Sequence, residues 1–276
     1  MGLTTTQIIK KANGCLNKGM NPASAEVALG IAFFENGDIA EAVQHYEKAL
    51  KINESMPEAH AGLGISFGRQ GDLKKTVYHL KRAFDLSPDN SLLANWLADA
   101  YYDSGELDLA IEYYALALRH NAADSNAQND MADAYRAKGD YQTACNLYEK
   151  TLEIDPLDTN AMLEQAQCLI QLKKNTQALT VMKKLIREFP ASHDSATAMV
   201  VCGTILNSAG KFSEACDWFE KALEFFPFNT NVLLQAAVCA MNADKKPVCI
   251  KYLQKILDLN PADSRATGLM QKVARK

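Results

Sequence analysis

The sequence predicts an all-α protein built as an elongated array of helix pairs. Small residues recur at a spacing of 34 with a single exception, a Gly turn recurs inside most units, and proline recurs between units. The 276 residues, 48% hydrophobic and 22% charged, have an ordinary globular composition, which excludes a wholly disordered chain. No run approaches the roughly 18 apolar residues of a membrane span, and Lys10-Lys11 leads into no apolar signal core. The expectation is therefore a cytoplasmic protein with no membrane span.

The first column is Gly30, Gly64, Ala98, Ala132, Ala166, Gly203 and Ala237, always Gly or Ala. Twelve residues later stand Ala42, Thr76, Ala110, Ala144, Ala178, Ala215 and Cys249. Four beyond those come Tyr46, Leu80, Tyr114, Tyr148, Met182, Phe219 and Leu253, all large. Helices approach closely only where side-chain bulk is missing, and large neighbours fill the space beside such points. Each unit thus reads as helix, turn, helix, and neither helix can bury its face without the next unit.

Taken in order, the units span 23–56, 57–90, 91–124, 125–158, 159–195, 196–229 and 230–263. The first four turn at Gly37-Asp38, Gly71-Asp72, Gly105-Glu106 and Gly139-Asp140, and the sixth at Gly210-Lys211, where Gly permits the positive φ of a helix end. Pro88, Pro156, Pro190, Pro227 and Pro261 fall where second helices stop. The fifth unit has Lys173 in place of Gly and three extra residues, His193 to Ser195, expected to loosen or bend the array. The seventh, with Asp244 for Gly and Ala240 for a large residue, suits a terminal repeat. Residues 4–16 read as a helix within a basic N-terminal cap, 1–22. Residues 264–276 place Ala266, Leu269, Met270 and Val273 on one face of a C-terminal solvating helix.

Charge is unevenly placed. Residues 1–22 carry Lys10, Lys11 and Lys18 without an acid, and 264–276 carry four basic residues without one. With a net charge of −4, the body between is strongly acidic. Such a body repels phosphate backbones and attracts basic or neutral peptides, so no nucleic-acid partner is expected. Cys15, Cys145, Cys168, Cys202, Cys216, Cys239 and Cys249 form no C-x-x-C pair, and no two histidines stand at i, i+4. The expectation is small apolar filler in a reducing compartment, with neither metal nor cofactor. There is no Gly-rich phosphate loop, no G-x-S-x-G and no clustered acid–base set, so an enzyme is not expected.

The segments "LGIAFFENGDIAEAVQHYEKALKIN" (29–53) and "LADAYYDSGELDLAIEYYALALRHN" (97–121) resemble the tetratricopeptide repeat (TPR) family almost throughout. The resemblance implies a right-handed superhelical solenoid of antiparallel helix pairs with capping helices at its ends. It also implies that positions two, five, nine and twelve of each first helix face a concave groove. On that register Val27, Ile31, Phe34 and Ile65 give an apolar floor to the first two units, and Val200, Leu234, Val238 and Met241 do so in the last two. Between them lies a polar stretch, the candidate peptide-binding groove: Asn95, Asp99, Tyr102, Asn126, Asn129, Asp133, Arg136, Asn160 and Gln167.

An Asn amide both donates and accepts, so it pairs with a peptide backbone without reading side chains. Asp99 and Asp133 add preference for Lys or Arg, and Tyr102 can stack on such a cation. Arg136 stands where it could instead pair with Asp133. Trp96 reads as packing between helices. The resulting expectation is a non-enzymatic adaptor that holds an extended peptide or partner helix, with some preference for basic ligands. The alternative is a self-assembling scaffold, a homo-oligomer built through the N-terminal helix or the apolar end repeats.

Overall fold

The computed structural model describes residues 21–275; the sequence-derived helix at 4–16 and Cys15 lie outside them. The described residues form fifteen α-helices and no strand. The chain divides into two compact units between Asp140 and Tyr141. The first unit holds three pairs, α1 (Pro22–Asn36) with α2 (Ile39–Ile52), α3 (Pro57–Arg69) with α4 (Leu73–Leu86) and α5 (Ser91–Asp103) with α6 (Leu107–His120), and then α7 (Ser125–Ala137); the second unit opens with α8 (Tyr141–Ile154). Then come α9 (Thr159–Gln171) with α10 (Asn175–Glu188), α11 (His193–Ser208) with α12 (Phe212–Phe225), and α13 (Thr230–Asn242) with α14 (Lys246–Leu259). A last helix, α15 (Ser264–Arg275), follows.

Local chemistry sets the boundaries. Most first helices begin behind an Asn, Asp or Ser whose side chain accepts from the opening turn. Asn90 takes the amides of Leu92 and Leu93, Asp124 that of Ala127, and Asp158 that of Ala161. Five first helices run into a glycine with positive φ, such as Gly37 at 90°, whose amide donates to the Phe34 carbonyl. Lys173 and Asp244 hold the same left-handed backbone, at 60° and 57°, although each carries a Cβ. The turn geometry therefore persists where its preferred residue has been lost.

Second helices bury one stripe at i, i+4, i+7: Ala42, Tyr46 and Ala49 in α2, then Ala110, Tyr114 and Ala117 in α6. The same stripe is Ala178, Met182 and Leu185 in α10, and Cys249, Leu253 and Ile256 in α14. Large members such as Tyr114 and Phe219 are 2% and 1% exposed, and each contributes about 1.5–3 kcal/mol through burial. Ala266 and Val273 of α15 are buried against the core of the last pairs, with Leu269 and Met270 beside them.

The extra residues His193 to Ser195, expected to loosen or bend the array, are helical. They are the first turn of α11, because the Ser192 hydroxyl accepts from the Ser195 amide. The Ser195 hydroxyl in turn donates to the Phe189 carbonyl at 2.6 Å. Six cysteines, Cys145 to Cys249, are free and buried. Among the described residues no helix is long and apolar enough to cross a membrane, and no group of three or more His, Cys, Asp or Glu is arranged to hold a metal.

Candidate functional site

Within the first unit the first helices α1, α3, α5 and α7 stand side by side. α1 packs directly on α3, and α5 on α7. α3 and α5 pack less closely, and a cavity of about 480 Å³ occupies the space. Its apolar lining comes from Ile31 and Phe34 of α1, Ala61 and Ile65 of α3, and Leu92 and Trp96 of α5. Ile31 and Leu92 are 46% and 52% exposed, unusual for side chains of this type within a folded array. Of the apolar floor read from sequence, Ile31, Phe34 and Ile65 line this cavity, whereas Val27 belongs to the core beneath. Trp96 packs on the helix-pair core, as expected, and lines the cavity as well.

Tyr46 reaches the same cavity from α2. Its ring occupies room left by two glycines: a Cβ on Gly30 or Gly62 would lie 2.5 Å or 2.4 Å from ring atoms. Burial, reinforced by the charge of Glu35, pushes its phenol up to about 12, so it keeps its proton. The hydroxyl makes no hydrogen bond among the described residues. Glu35 and Glu58 stand in the lining, neither in an ion pair among the described residues, and the Arg69 guanidinium lies 5.8 Å from the centre of the Phe34 ring.

On the other side of α5 is a smaller pocket of about 160 Å³. It is lined by Asp99, Tyr102 and Asp103 of α5, Tyr114 of α6, and Asp130 and Asp133 of α7. The Tyr114 hydroxyl donates to Asp99 Oδ1 at 2.7 Å. Burial raises the Asp99 carboxyl above its ordinary range, and this hydrogen bond opposes the rise. Asp130 is pushed up to about 7, chiefly by burial and then by the charges of Asp99, Asp133 and Asp124. Arg136 donates through Nε and Nη2 to Asp133 Oδ1 at 3.2 Å and 3.0 Å, the pairing that the sequence allowed.

The structure brings Asp99, Tyr102 and Asp133 to one pocket, with Arg136 beside them. Asn95 sits half-buried on α5, and its Oδ1 is buried without a hydrogen-bond partner. Asn126 is exposed at the start of α7, while Asn129 is buried at 7% exposure. Asn160 and Gln167 lie on α9 in the second unit, both exposed, with Gln167 Nε2 donating to Glu164 Oε1 at 3.1 Å. Sequence reasoning missed Asp103, Asp130, Tyr46 and Tyr114. The signal was at the sixth position of the first helices, where Gly62, Trp96 and Asp130 all line one pocket or the other.

Stacked helix–turn–helix units with side-chain pockets along the row of first helices define a repeat protein of the interaction type. Family models described as "TPR repeat" and "Tetratricopeptide repeat" match residues 30–71, and 69–134 and 135–199. The chain belongs to the tetratricopeptide repeat family, whose repeats bind protein partners and are in general not enzymes. No curated protein matches the chain in sequence.

Among solved structures, the C-terminal part of a TPR repeat-containing protein from Cytophaga hutchinsonii is similar with a TM-score of 0.77 and 16% identity, over 88% of this chain and 98% of that one. YrrB, described as a TPR protein with an unusual peptide-binding site, is similar at 0.57 and 19%, over 70% and 97%. MamA from Desulfovibrio magneticus RS-1 is similar at 0.57 and 20%, over 63% and 97%. At these identities the likeness is one of fold.

Proposed function

We propose that this protein is a non-enzymatic adaptor that holds an extended peptide segment of a partner against the row of first helices in its first unit. The observation that carries the reading is the pairing, on one helix, of an exposed apolar cavity with an acidic pocket: Leu92 and Trp96 serve one, Asp99 and Tyr102 the other. Apolar lining with a few convergent polar groups is the common make-up of ligand sites, and about 480 Å³ falls in their size range of roughly 300–1,000 Å³. Asn95, whose buried Oδ1 lacks a partner, stands on α5 among these residues and can take a backbone N–H of the ligand. Asn126, Asn129, Asp133 and Arg136 on α7 extend the polar stretch, and Asn160 and Gln167 offer similar groups in the second unit. The peptide-binding site of YrrB, a protein of like fold, supports the same reading.

The test is selection of a random-peptide phage library on the full-length chain, with counter-selection on Leu92→Glu. Leu92 is 52% exposed, so the substitution is expected to leave the fold intact, which circular dichroism checks. Peptides that bind the parent and not the variant are the expected result. Recovery only of peptides that bind both proteins equally overturns the reading.

A further inference from the structure

Tyr46 and Tyr114 occupy the same place in their repeats, and so do Ile31 and Asp99. In the third repeat the tyrosine hydroxyl donates to Asp99, and the pair closes upon itself. In the first repeat the residue in register with Asp99 is Ile31, which cannot accept. Tyr46 is buried, at 3% exposure, it lines the apolar cavity, and its hydroxyl makes no hydrogen bond among the described residues. A protonated phenol in an apolar lining, with no acceptor among the described residues, is a donor that a ligand oxygen can satisfy.

Charge narrows the ligand further. Glu35 and Glu58 stand at the cavity, and Asp99, Asp103, Asp130 and Asp133 lie beyond α5 with Arg136 as the cation paired among them. Trp96 and Asp99 are one helical turn apart on α5, about 4.5 Å along its axis. Neighbouring helices stand about 8–10 Å apart. The two pockets are then separated by about three residues of extended chain at roughly 3.3 Å each.

Resting on the function proposed above, we infer that the cavity between α1, α3 and α5 takes one bulky apolar side chain of a bound peptide. A peptide oxygen accepts from Tyr46 Oη, and a Lys or Arg about three residues away enters the acidic pocket beyond α5. The partner is thus a protein with an exposed, extended segment in which an aromatic or large aliphatic residue and a basic residue share that spacing.

Fluorescence anisotropy with end-capped, labelled peptides of Gly and Ser tests this on the full-length chain. One peptide carries a Phe and, three residues on, a Lys; controls replace Phe by Ala, or Lys by Glu, or widen the spacing to eight. The Phe/Lys peptide should bind at least tenfold more tightly than each control. Tyr46→Phe should weaken it about threefold to tenfold without lowering the melting temperature, and Ile65→Glu should remove binding. Where Ile65→Glu fails to fold, Leu92→Glu replaces it.

Equal affinity for the Lys and Glu peptides, or binding insensitive to Tyr46→Phe and Leu92→Glu, overturns the inference. So does the absence of binding by any of these peptides. If the phage selection meanwhile yields peptides that depend on Leu92 but lack the apolar–basic spacing, the adaptor reading stands and this inference alone falls.

Discussion

Tyr114 donates its phenolic proton to Asp99 across 2.7 Å, while Tyr46, the tyrosine in register with it, has Ile31 where the carboxylate would be. One repeat therefore satisfies its own buried hydroxyl and another leaves it available. The difference predicts unequal costs for one chemical change. Tyr114→Phe leaves a half-buried carboxylate without its donor and should destabilise the protein by about 1–3 kcal/mol. Tyr46→Phe removes no hydrogen bond within the described chain and should shift stability by less than about 0.5 kcal/mol. Urea unfolding of the two variants measures both.

Gly62 gives a second prediction. A methyl there would lie 2.4 Å from Tyr46 Cζ, and a methyl on Gly30 would lie 2.5 Å from Cε1, so the ring is in close contact with both glycines and must shift. Gly62→Ala should cost about 1–3 kcal/mol through overpacking, despite the better helix propensity of Ala. Adding Tyr46→Leu should recover most of the loss, a non-additivity readable in a double-mutant cycle.

The first unit also has a pH-dependent pair. His60 and His79 bring their Nδ1 atoms to 3.1 Å, and burial lowers both. His79 falls to about 4, with the charges of His60 and Lys75 adding to burial. Depressed basic groups bind fewer protons folded than unfolded, so their contribution is intact above about pH 6.5 and is lost as pH falls toward 4. Replacing His79 with Leu should flatten that part of the stability curve, measured by thermal unfolding between pH 4 and pH 7.

Asp130 works in the opposite sense. Its folded value of about 7 exceeds the ordinary 3.8, so the contribution of Asp130 to stability is complete below pH 3.8 and is lost as pH rises through 7. Asp130→Asn should stabilise the protein at pH 8 and change it little near pH 4. A stabilisation equal at both values would contradict the crowding of Asp130 by Asp99, Asp133 and Asp124.

Lys173 holds φ at 60° where each of the four preceding turns uses glycine, and nothing in the structure removes the cost of its Cβ. Lys173→Gly should stabilise the second unit by up to about 1 kcal/mol, measured by chemical denaturation.

The repeat was legible because close packing writes itself into single columns: Gly30 or Ala98 where helices cross, Tyr46 or Leu80 beside them. Gly37 and its counterparts marked the turns for the same reason, since few residues accept a positive φ. The place of the three residues from His193 was not legible from length alone, which does not distinguish a loop from an added helical turn; the Ser192 cap makes them helical. The site was read in part. Asp99 and Tyr102 stand at helical spacing on α5, and Asp133 joins them from the position in register with Asp99 on α7, both of which a sequence displays. Asp130 and Tyr114 reach the same pocket from the neighbouring register and from a second helix, and that depends on how far α6 tilts its tyrosine toward α5. The sixth-position register displays Asp130, but the reach of Tyr114 from a second helix is written in no spacing along the first helices. Asn129, alike in sequence to Asn95, is buried where Asn95 is half-exposed.

The adaptor reading is tested most directly at Trp96, which lines the apolar cavity, in a chain whose other tryptophan is removed by Trp218→Phe. A selected peptide is titrated into that protein while calorimetry follows its binding independently. The account predicts that Trp96 emission shifts to the blue and saturates at the concentration where the heat saturates, because the peptide covers the indole. Binding heat with no change in Trp96 emission would contradict it and place the ligand elsewhere on the chain.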